Sequence, residues 1–488
     1  MKTVGIIGAG IGGLSAAIHL ASKGFEVTVF EKNSLPGGKA SSFSHQGFRF
    51  DTGPSLLTMI DVVEQLFDEA GEHLSDYLDV KKLDVLCKYF YPDGIELNAY
   101  SDFNKFAAEI ESKTSDTSNN LSEYFSYSKV IFDLTKKIFL YDPYMGIKSL
   151  LNFNSVKTLF KIRKIDSFRT MHEANKSFFS DPKLVQLFDR YATYNGSNPY
   201  LAPATLNLIS HVENSLGGYY LSEGMYSLVK ALWNLALKKG VNFMLSRNVS
   251  SVRKSGNKIE SLISENKPYS FDYYVSNLDS LSANKLFFSE SDFKIKEERL
   301  SSSAMVFYWG INTEFPQLDT HNILFSADYK KEFNSIFLEK TISDDVTIYI
   351  YVSSKFNPAD APEGCENWFV MINTPPNLNQ NWFELTETYR ALIIDKIESV
   401  IETDIRSKIL FEKVLNPEIM EHQTGSYKGS LYGYSSNTRF SAFKRQSNRS
   451  KKFKNLFYCG GSAHPGGGIP LVILSGKNVS ELIADVQY

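Results

Sequence analysis

Two glycine-rich turns, one near each end of the chain, carry the residue types and spacings that could do chemistry. Near the start, Val4–Gly13 reads VGIIGAGIGG, so Gly8, Gly10 and Gly13 fit G-x-G-x-x-G between an apolar strand and a helix. The first glycine permits a tight turn, and the second lets the backbone approach a pyrophosphate. The third lets the helix pack closely on the strand. Phosphate charge then sits at the positive end of the helix, where free N–H groups point outward. Glu31 lies about twenty residues on, placed to accept hydrogen bonds from a ribose diol, and its charge disfavours a 2′-phosphate. Near the far end, Asn455–Lys477 reads NLFYCGGSAHPGGGIPLVILSGK: a short apolar strand, a turn holding His464 and Pro465, and the start of a helix. A second strand–turn–helix suggests that the chain returns to the same dinucleotide and closes over it.

The elements that must position these turns follow from periodicity. Val4–Ile7 reads as a buried strand, about Gly12 to Lys23 as a helix, and Val27–Phe30 as a second strand: a βαβ unit of Rossmann type. Residues 85–99 alternate about Pro92-Asp93-Gly94, which predicts a hairpin. From roughly Asp102 to Asn214 the period is helical, and Ser222–Gly240 predicts a helix ending at Gly240. Short strands are expected at Phe243–Ser246, Ser251–Lys254, Ile259–Ile263 and Tyr273–Ser276. Alternating runs at Ala304–Ile311, Thr347–Val352 and Trp368–Ile372 predict a separate mixed sheet. The terminal strand is expected at Leu456–Cys459 and the last helix over about Ile469–Ala484.

The fold class is therefore α/β. The expected division is a Rossmann-like dinucleotide domain from 1–75, 215–285 and 450–488, a mixed-sheet substrate domain from 76–101 and 286–449, and a helical, membrane-facing part over 102–214.

At 488 residues the chain exceeds what one core usually organises. A net charge of −3 argues against general nucleic-acid binding. Cys87, Cys365 and Cys459 are three and widely spaced, which suits a reducing compartment and offers no disulfide framework. The eight histidines show no ligand spacing, so no metal site is expected. No run of eighteen apolar residues predicts a spanning helix, which leaves only peripheral membrane contact. The 36 Phe and 27 Tyr fit either large aromatic cores or the lining for a long apolar ligand.

Pro36-Gly37-Gly38-Lys39 and Arg49–Pro54 follow Glu31 closely, and an NAD domain has no need of such loops. With the C-terminal turn, the segments EKNSLPGGKASSF, FRFDTGPSLLTM, GGYYLSEGMYSLVKAL, YYVSNLDS and PEGCENWFV resemble the FAD-dependent carotenoid desaturases, the bacterial phytoene-desaturase-like family. The resemblance covers essentially the whole chain. It implies FAD as cofactor, with Gly8, Gly10, Gly13, Glu31, Gly38 and Lys39 holding the ADP half and its phosphates. Gly53, Pro54 and Ser55 would approach the flavin ring. Val249, placed in the first strand after the Ser222–Gly240 helix, would contact adenine through its backbone. Gly461, Gly467, Gly468 and Ile469 would bind near the ring and ribityl chain.

The resemblance further implies desaturation by hydride transfer to flavin, near the end of an acyclic or monocyclic carotenoid. Gly429–Phe443 (GSLYGYSSNTRFSAF) and Pro470-Leu471-Val472 lean toward the hydroxycarotenoid 3,4-desaturase branch. Phytoene desaturases more often carry glycine where Leu471 stands. Phytoene desaturation, isomerisation or end-group oxidation on the same flavin fold is the alternative, and a non-enzymatic carotenoid carrier is another. The catalytic residue stays unknown. His464 is a candidate for proton transfer or for capping its turn, and Tyr141-Asp142-Pro143-Tyr144, Asn195 and Asn198 read mostly as loop punctuation.

A carotenoid of some forty carbons, at roughly 0.8 kcal/mol per buried CH₂, is confined to membranes. The expected location is thus cytoplasmic and peripheral to a membrane, with oxygen or a quinone as electron acceptor. Tyr144 to Met171 is the candidate docking stretch: Lys148, Lys157, Lys161, Arg163, Lys164 and Arg169 interleave with apolar residues, against one acid, Asp166. Its alternative is a solvated helix over the domain core. Arg439–Lys454, with seven basic residues and no acid, reads first as a solvated loop, with help in membrane contact as its alternative.

Overall fold

The structure, a computed structural model, describes residues 1–136, 164–439 and 445–485. Tyr141-Asp142-Pro143-Tyr144, most of the Tyr144–Met171 stretch and Phe440–Phe443 lie outside the described residues. Thr3–Ile7, flanked by Glu26–Phe30 and Tyr273–Ser276, forms the centre of a five-stranded parallel sheet. Asn242–Met244 and Leu456–Tyr458 complete its two edges, so widely separated stretches build one sheet. Because every strand runs the same way, the residues after them gather at one edge: Gly8, Glu31, Asn277 and Gly460. Ligands of open parallel sheets bind outside such carboxyl ends.

Helix Ile11–Ser22 packs against the last helix, Ile469–Asp485. Ser15 Oγ donates to Ile473 O at 2.7 Å. The helices approach closely because Gly476 has no side chain: a Cβ there would stand 2.6 Å from Ala16 N. The second sheet has seven strands, ordered Ile409–Leu415, Ser303–Ile311, Glu366–Thr374, Ile348–Val352, His321–Leu324, Val85–Phe90 and Glu96–Tyr100. All its neighbours are antiparallel except His321–Leu324 with Val85–Phe90, which makes the sheet mixed.

Period-two alternation divides its side chains. Met305, Phe307, Trp309, Trp368, Val370 and Ile350 pack against helix Trp382–Ile401. Tyr308, Tyr351 and Phe369, with Tyr349 beside them, face the dinucleotide domain. Most of the aromatic surplus is accounted for by such packing, as in the cluster of Tyr124, Phe125, Phe178, Phe179 and Phe188 among the helices.

One expectation fails. The first strand after helix Tyr226–Lys238 is Asn242–Met244, and Val249 opens the next one, Val249–Ser255, in a separate antiparallel sheet. Val249 lies two residues ahead of the strand expected at Ser251–Lys254, and its pairing with Ser264 extends that strand back to it. Val249 is buried against Ile7 and Phe30, at the edge where the first two strands end.

Candidate functional site

The first turn is built around missing side chains. Gly8 adopts φ +95° and donates its N–H to Phe30 O at 2.7 Å. A Cβ at Gly13 would lie 2.1 Å from Gly8 O, so the helix could not start where it does with any other residue. The helix N-terminus has Gly10 as its cap, no side chain bonded to its first N–H groups and no acid in its first turn. That leaves a pocket of positive partial charge suited to phosphate. Gly37 N–H donates to Ala9 O at 2.9 Å, and Gly10 pairs with Gly37, which lays Gly38 and Lys39 beside the turn.

Glu31 is buried at 5% exposure. Its carboxylate accepts the N–H of Ala9 at 2.8 Å and of Asn33 at 2.9 Å, one on each oxygen. Each oxygen keeps a lone pair for a diol. Lys39 reaches the carbonyl of Leu431. Its side chain keeps contact with solvent among the loops that crowd round it. Desolvation lowers its pKa, opposed by nearby Asp279, whose own pKa burial raises.

Asn277, inside the segment YYVSNLDS, was not singled out from the sequence. It sits beneath both turns: its Nδ2 donates to Gly8 O at 3.3 Å, and a Cβ at Gly10, Gly12 or Gly460 would come within 2.9 Å of its amide. The signal available was its position directly after a parallel strand, equivalent to that of Gly8.

Gly53 is forced by the same logic, since its Cβ would lie 2.2 Å from Lys39 O. The loop it opens lies against the aromatic face of the seven-stranded sheet. Tyr308 Oη donates to Thr52 O at 3.4 Å, and Ser55 Oγ lies 2.6 Å from Tyr349 Oη. Tyr349 Oη in turn is 2.8 Å from His321 Nδ1. The preceding Arg49 and Asp51 hold the frame: Asp51 accepts Met225 N and Tyr226 N at the start of helix Tyr226–Lys238, and Arg49 bridges Asp51 to Asp360.

In the far turn, Gly461 and Gly467 face each other, a Cβ on the former lying 3.5 Å from the Cα of the latter. Gly467 is pressed on Tyr432, while Gly468, at φ +104°, faces open space. Ile469 opens the last helix, which carries no acid in its first turn. His464 is buried, and its backbone is fixed: N–H to Gln446 O, and O accepting from Asn448 Nδ2 and Ser475 Oγ. Asn195 accepts from Arg445 Nη2, and Asn198 N–H donates to Asn437 Oδ1, so both anchor loops.

A glycine turn with an uncapped helix start, a buried acid just after the adjacent strand, and further glycine-only loops define a dinucleotide site of the Rossmann type, and the family that the chain matches makes it an FAD-dependent oxidoreductase. The chain belongs to the family described as flavin containing amine oxidoreductase, which matches residues 11–484. It is 42% identical, over all of both chains, to a 1-hydroxycarotenoid 3,4-desaturase of Flavobacterium sp. (strain P99-3). It is 33% identical to a 4,4'-diaponeurosporene oxygenase of Staphylococcus haemolyticus (99% of this chain, 97% of that one). A 4,4'-diapolycopene oxygenase of Methylomonas sp is 34% identical, over 99% and 98%. Among solved structures, putrescine oxidase bound to putrescine aligns with TM-score 0.64 at 11% identity over 99% of each chain. Cyclohexylamine oxidase from Brevibacterium oxydans aligns with TM-score 0.62 at 14% identity, over 100% of this chain and 99% of that one. At such identities the structures share the fold alone.

Proposed function

We propose that this FAD-dependent oxidoreductase is a carotenoid desaturase, introducing a C–C double bond near the end group of an acyclic or monocyclic, hydroxylated carotenoid. One observation carries the reading. The Gly53–Ser55 loop lies against a tyrosine and phenylalanine face of the second sheet, in a chain alike from end to end with a 1-hydroxycarotenoid 3,4-desaturase. Bound FAD supplies the hydride acceptor. The chain's part is to hold the cofactor, position the carbon and exclude water.

Gly8, Gly10, Gly13, Glu31, Gly38 and Lys39 are assigned to the ADP half, Val249 to adenine, and Gly53, Pro54, Ser55, Gly461, Gly467, Gly468 and Ile469 to the flavin end. Tyr308, Tyr349 and Phe369 wall the substrate side. The division into 1–75, 215–285 and 450–488, against 76–101 with 286–449 and 102–214, belongs to the same reading.

A substrate of this kind requires contact with a bilayer, and among the described residues no helix is long and apolar enough to cross one. Docking through the basic stretches is supported at Phe168, which is 61% exposed and carries the Arg439 guanidinium 5.3 Å from its ring centre. Arg169 adds less positive charge than its neighbours, being paired to Asp166 at 2.6 Å. On this reading the protein works in the cytoplasm at a membrane surface, passing electrons to oxygen or a quinone.

A second reading, end-group oxygenation, is favoured by the two oxygenase relatives. Mass analysis separates the readings: purified protein given a hydroxylated acyclic carotenoid should yield a product lighter by two hydrogens. A product heavier by oxygen, or an unchanged mass, would sink desaturation.

A further inference from the structure

Behind the Gly53–Ser55 loop runs a hydrogen-bonded row that none of the sequence motifs anticipates. Ser55 Oγ is 2.6 Å from Tyr349 Oη, which is 2.8 Å from His321 Nδ1. The imidazole lies parallel to Tyr349 and Tyr351, with ring centres 6.1 and 5.0 Å away, and is 3% exposed. Ser55 and Tyr349 both keep partial contact with solvent.

The direction of the protons follows from what surrounds His321. Burial, reinforced by the charge of Arg190, brings its pKa down to about 3, so the ring is neutral and carries one N–H. Nε2 is buried with no hydrogen-bond partner. Nε2 is unpaired in either tautomer, and the nearby positive charge of Arg190 disfavours a proton there, which puts the proton on Nδ1. Placed on Nδ1 it donates to Tyr349 Oη. Tyr349 then has its own proton for Ser55 Oγ, and Ser55, accepting there, must turn its O–H elsewhere. The remaining direction is its solvent-exposed side.

We infer that Ser55 presents its hydroxyl as a hydrogen-bond donor to the bound flavin, with Tyr349 and His321 as positioning residues that fix its direction. The inference rests on the reading that sets Gly53–Ser55 beside the flavin ring. A fixed donor stabilises the state that carries more electron density, and here that is the reduced cofactor.

The test is the midpoint potential of the flavin in the intact holoenzyme, read by absorbance against a reference dye, with no carotenoid present. Ser55→Ala should shift the balance of oxidised to reduced flavin about tenfold toward the oxidised form, a fall of about 30 mV for a two-electron couple. Tyr349→Phe should move it the same way by less, and Ser55→Thr, which keeps a hydroxyl, should stay at the parent value. A merely structural role would lower thermal stability and leave the potential in place. Unchanged potentials in Ser55→Ala overturn the donor, and an unchanged potential in Tyr349→Phe overturns the positioning. Ser55→Phe separates the premise: if its flavin content and spectrum match the parent, the loop does not lie beside the ring and both claims fall. If those change while the Ser55→Ala potential does not, the donor alone is refuted.

Discussion

Replacing Glu31 by Gln asks whether the buried carboxylate does what its surroundings imply. Both oxygens are occupied by backbone donors, Ala9 N–H at 2.8 Å and Asn33 N–H at 2.9 Å. Gln keeps the shape but only one acceptor, and its NH₂ group must face the other N–H. A hydrogen bond to a charged group contributes about 1.5–3 kcal/mol, so the folded protein should lose about 2 kcal/mol. Cofactor binding carries a separate penalty. Ala9 belongs to the turn that cradles the phosphates, and a neutral amide is a weaker acceptor for a ribose diol. A loss of about 1–2 kcal/mol corresponds to Kd rising about 5- to 30-fold. Titration of deflavinated protein with FAD, repeated with ADP, measures it. Both ligands should weaken alike, because the contact lies on the half they share. Equal FAD affinity in parent and variant, or a loss for FAD without one for ADP, would refute the assignment of Glu31 to the ribose.

Other expectations follow from the same geometry. Gly13→Ala puts a methyl 2.1 Å from Gly8 O, so it should lower stability by about 1–3 kcal/mol and yield flavin-poor protein, read from the ratio of flavin to protein absorbance. His321 has a folded pKa of about 3 against 6.5 unfolded, so the unfolded chain takes up the proton first. The stability this group contributes is complete above about pH 6.5 and is lost as pH falls toward 3. Denaturant unfolding should therefore show the parent losing about 1.5 kcal/mol more than His321→Asn between pH 6.5 and 5. Charge reversal at Lys157, Lys161 and Lys164 should reduce sedimentation with anionic liposomes, more so at low salt, and unchanged binding would remove that stretch from the docking surface.

Local periodicity made the dinucleotide unit legible, because strand, turn and helix lie within thirty residues and their glycines have fixed jobs. The hairpin at Pro92–Gly94 and the long strands of the mixed sheet were equally plain, their alternation being strong. Less legible were elements whose reason is distant. Asn277 matters because five glycines from both ends of the chain, Gly8, Gly10, Gly12, Gly13 and Gly460, close on it, and spacing along the sequence cannot report that. Val249 falls in the second strand after helix Tyr226–Lys238 because pairing with Ser264 starts the strand two residues ahead of its expected run, Ser251–Lys254. His321–Leu324 (HNIL) does not alternate, so neither the strand nor the row it builds with Tyr349 and Ser55 could be read. That row exists only because His321 pairs opposite Tyr351 in the sheet. The Arg49–Asp51 clamp, which looks like part of a cofactor motif, works as a joint between the antiparallel pair Ser42–His45 and Phe48–Asp51 and helix Tyr226–Lys238.

The most direct test of the whole account is a single anaerobic turnover. Holoenzyme mixed without oxygen with a hydroxylated acyclic carotenoid should bleach its flavin absorbance, with one product molecule, two hydrogens lighter, formed per flavin bleached. Tight pigment binding with the flavin still oxidised would make the protein a carrier, and a product formed only on admitting oxygen and containing it would make the protein an oxygenase. Either result contradicts the desaturase account.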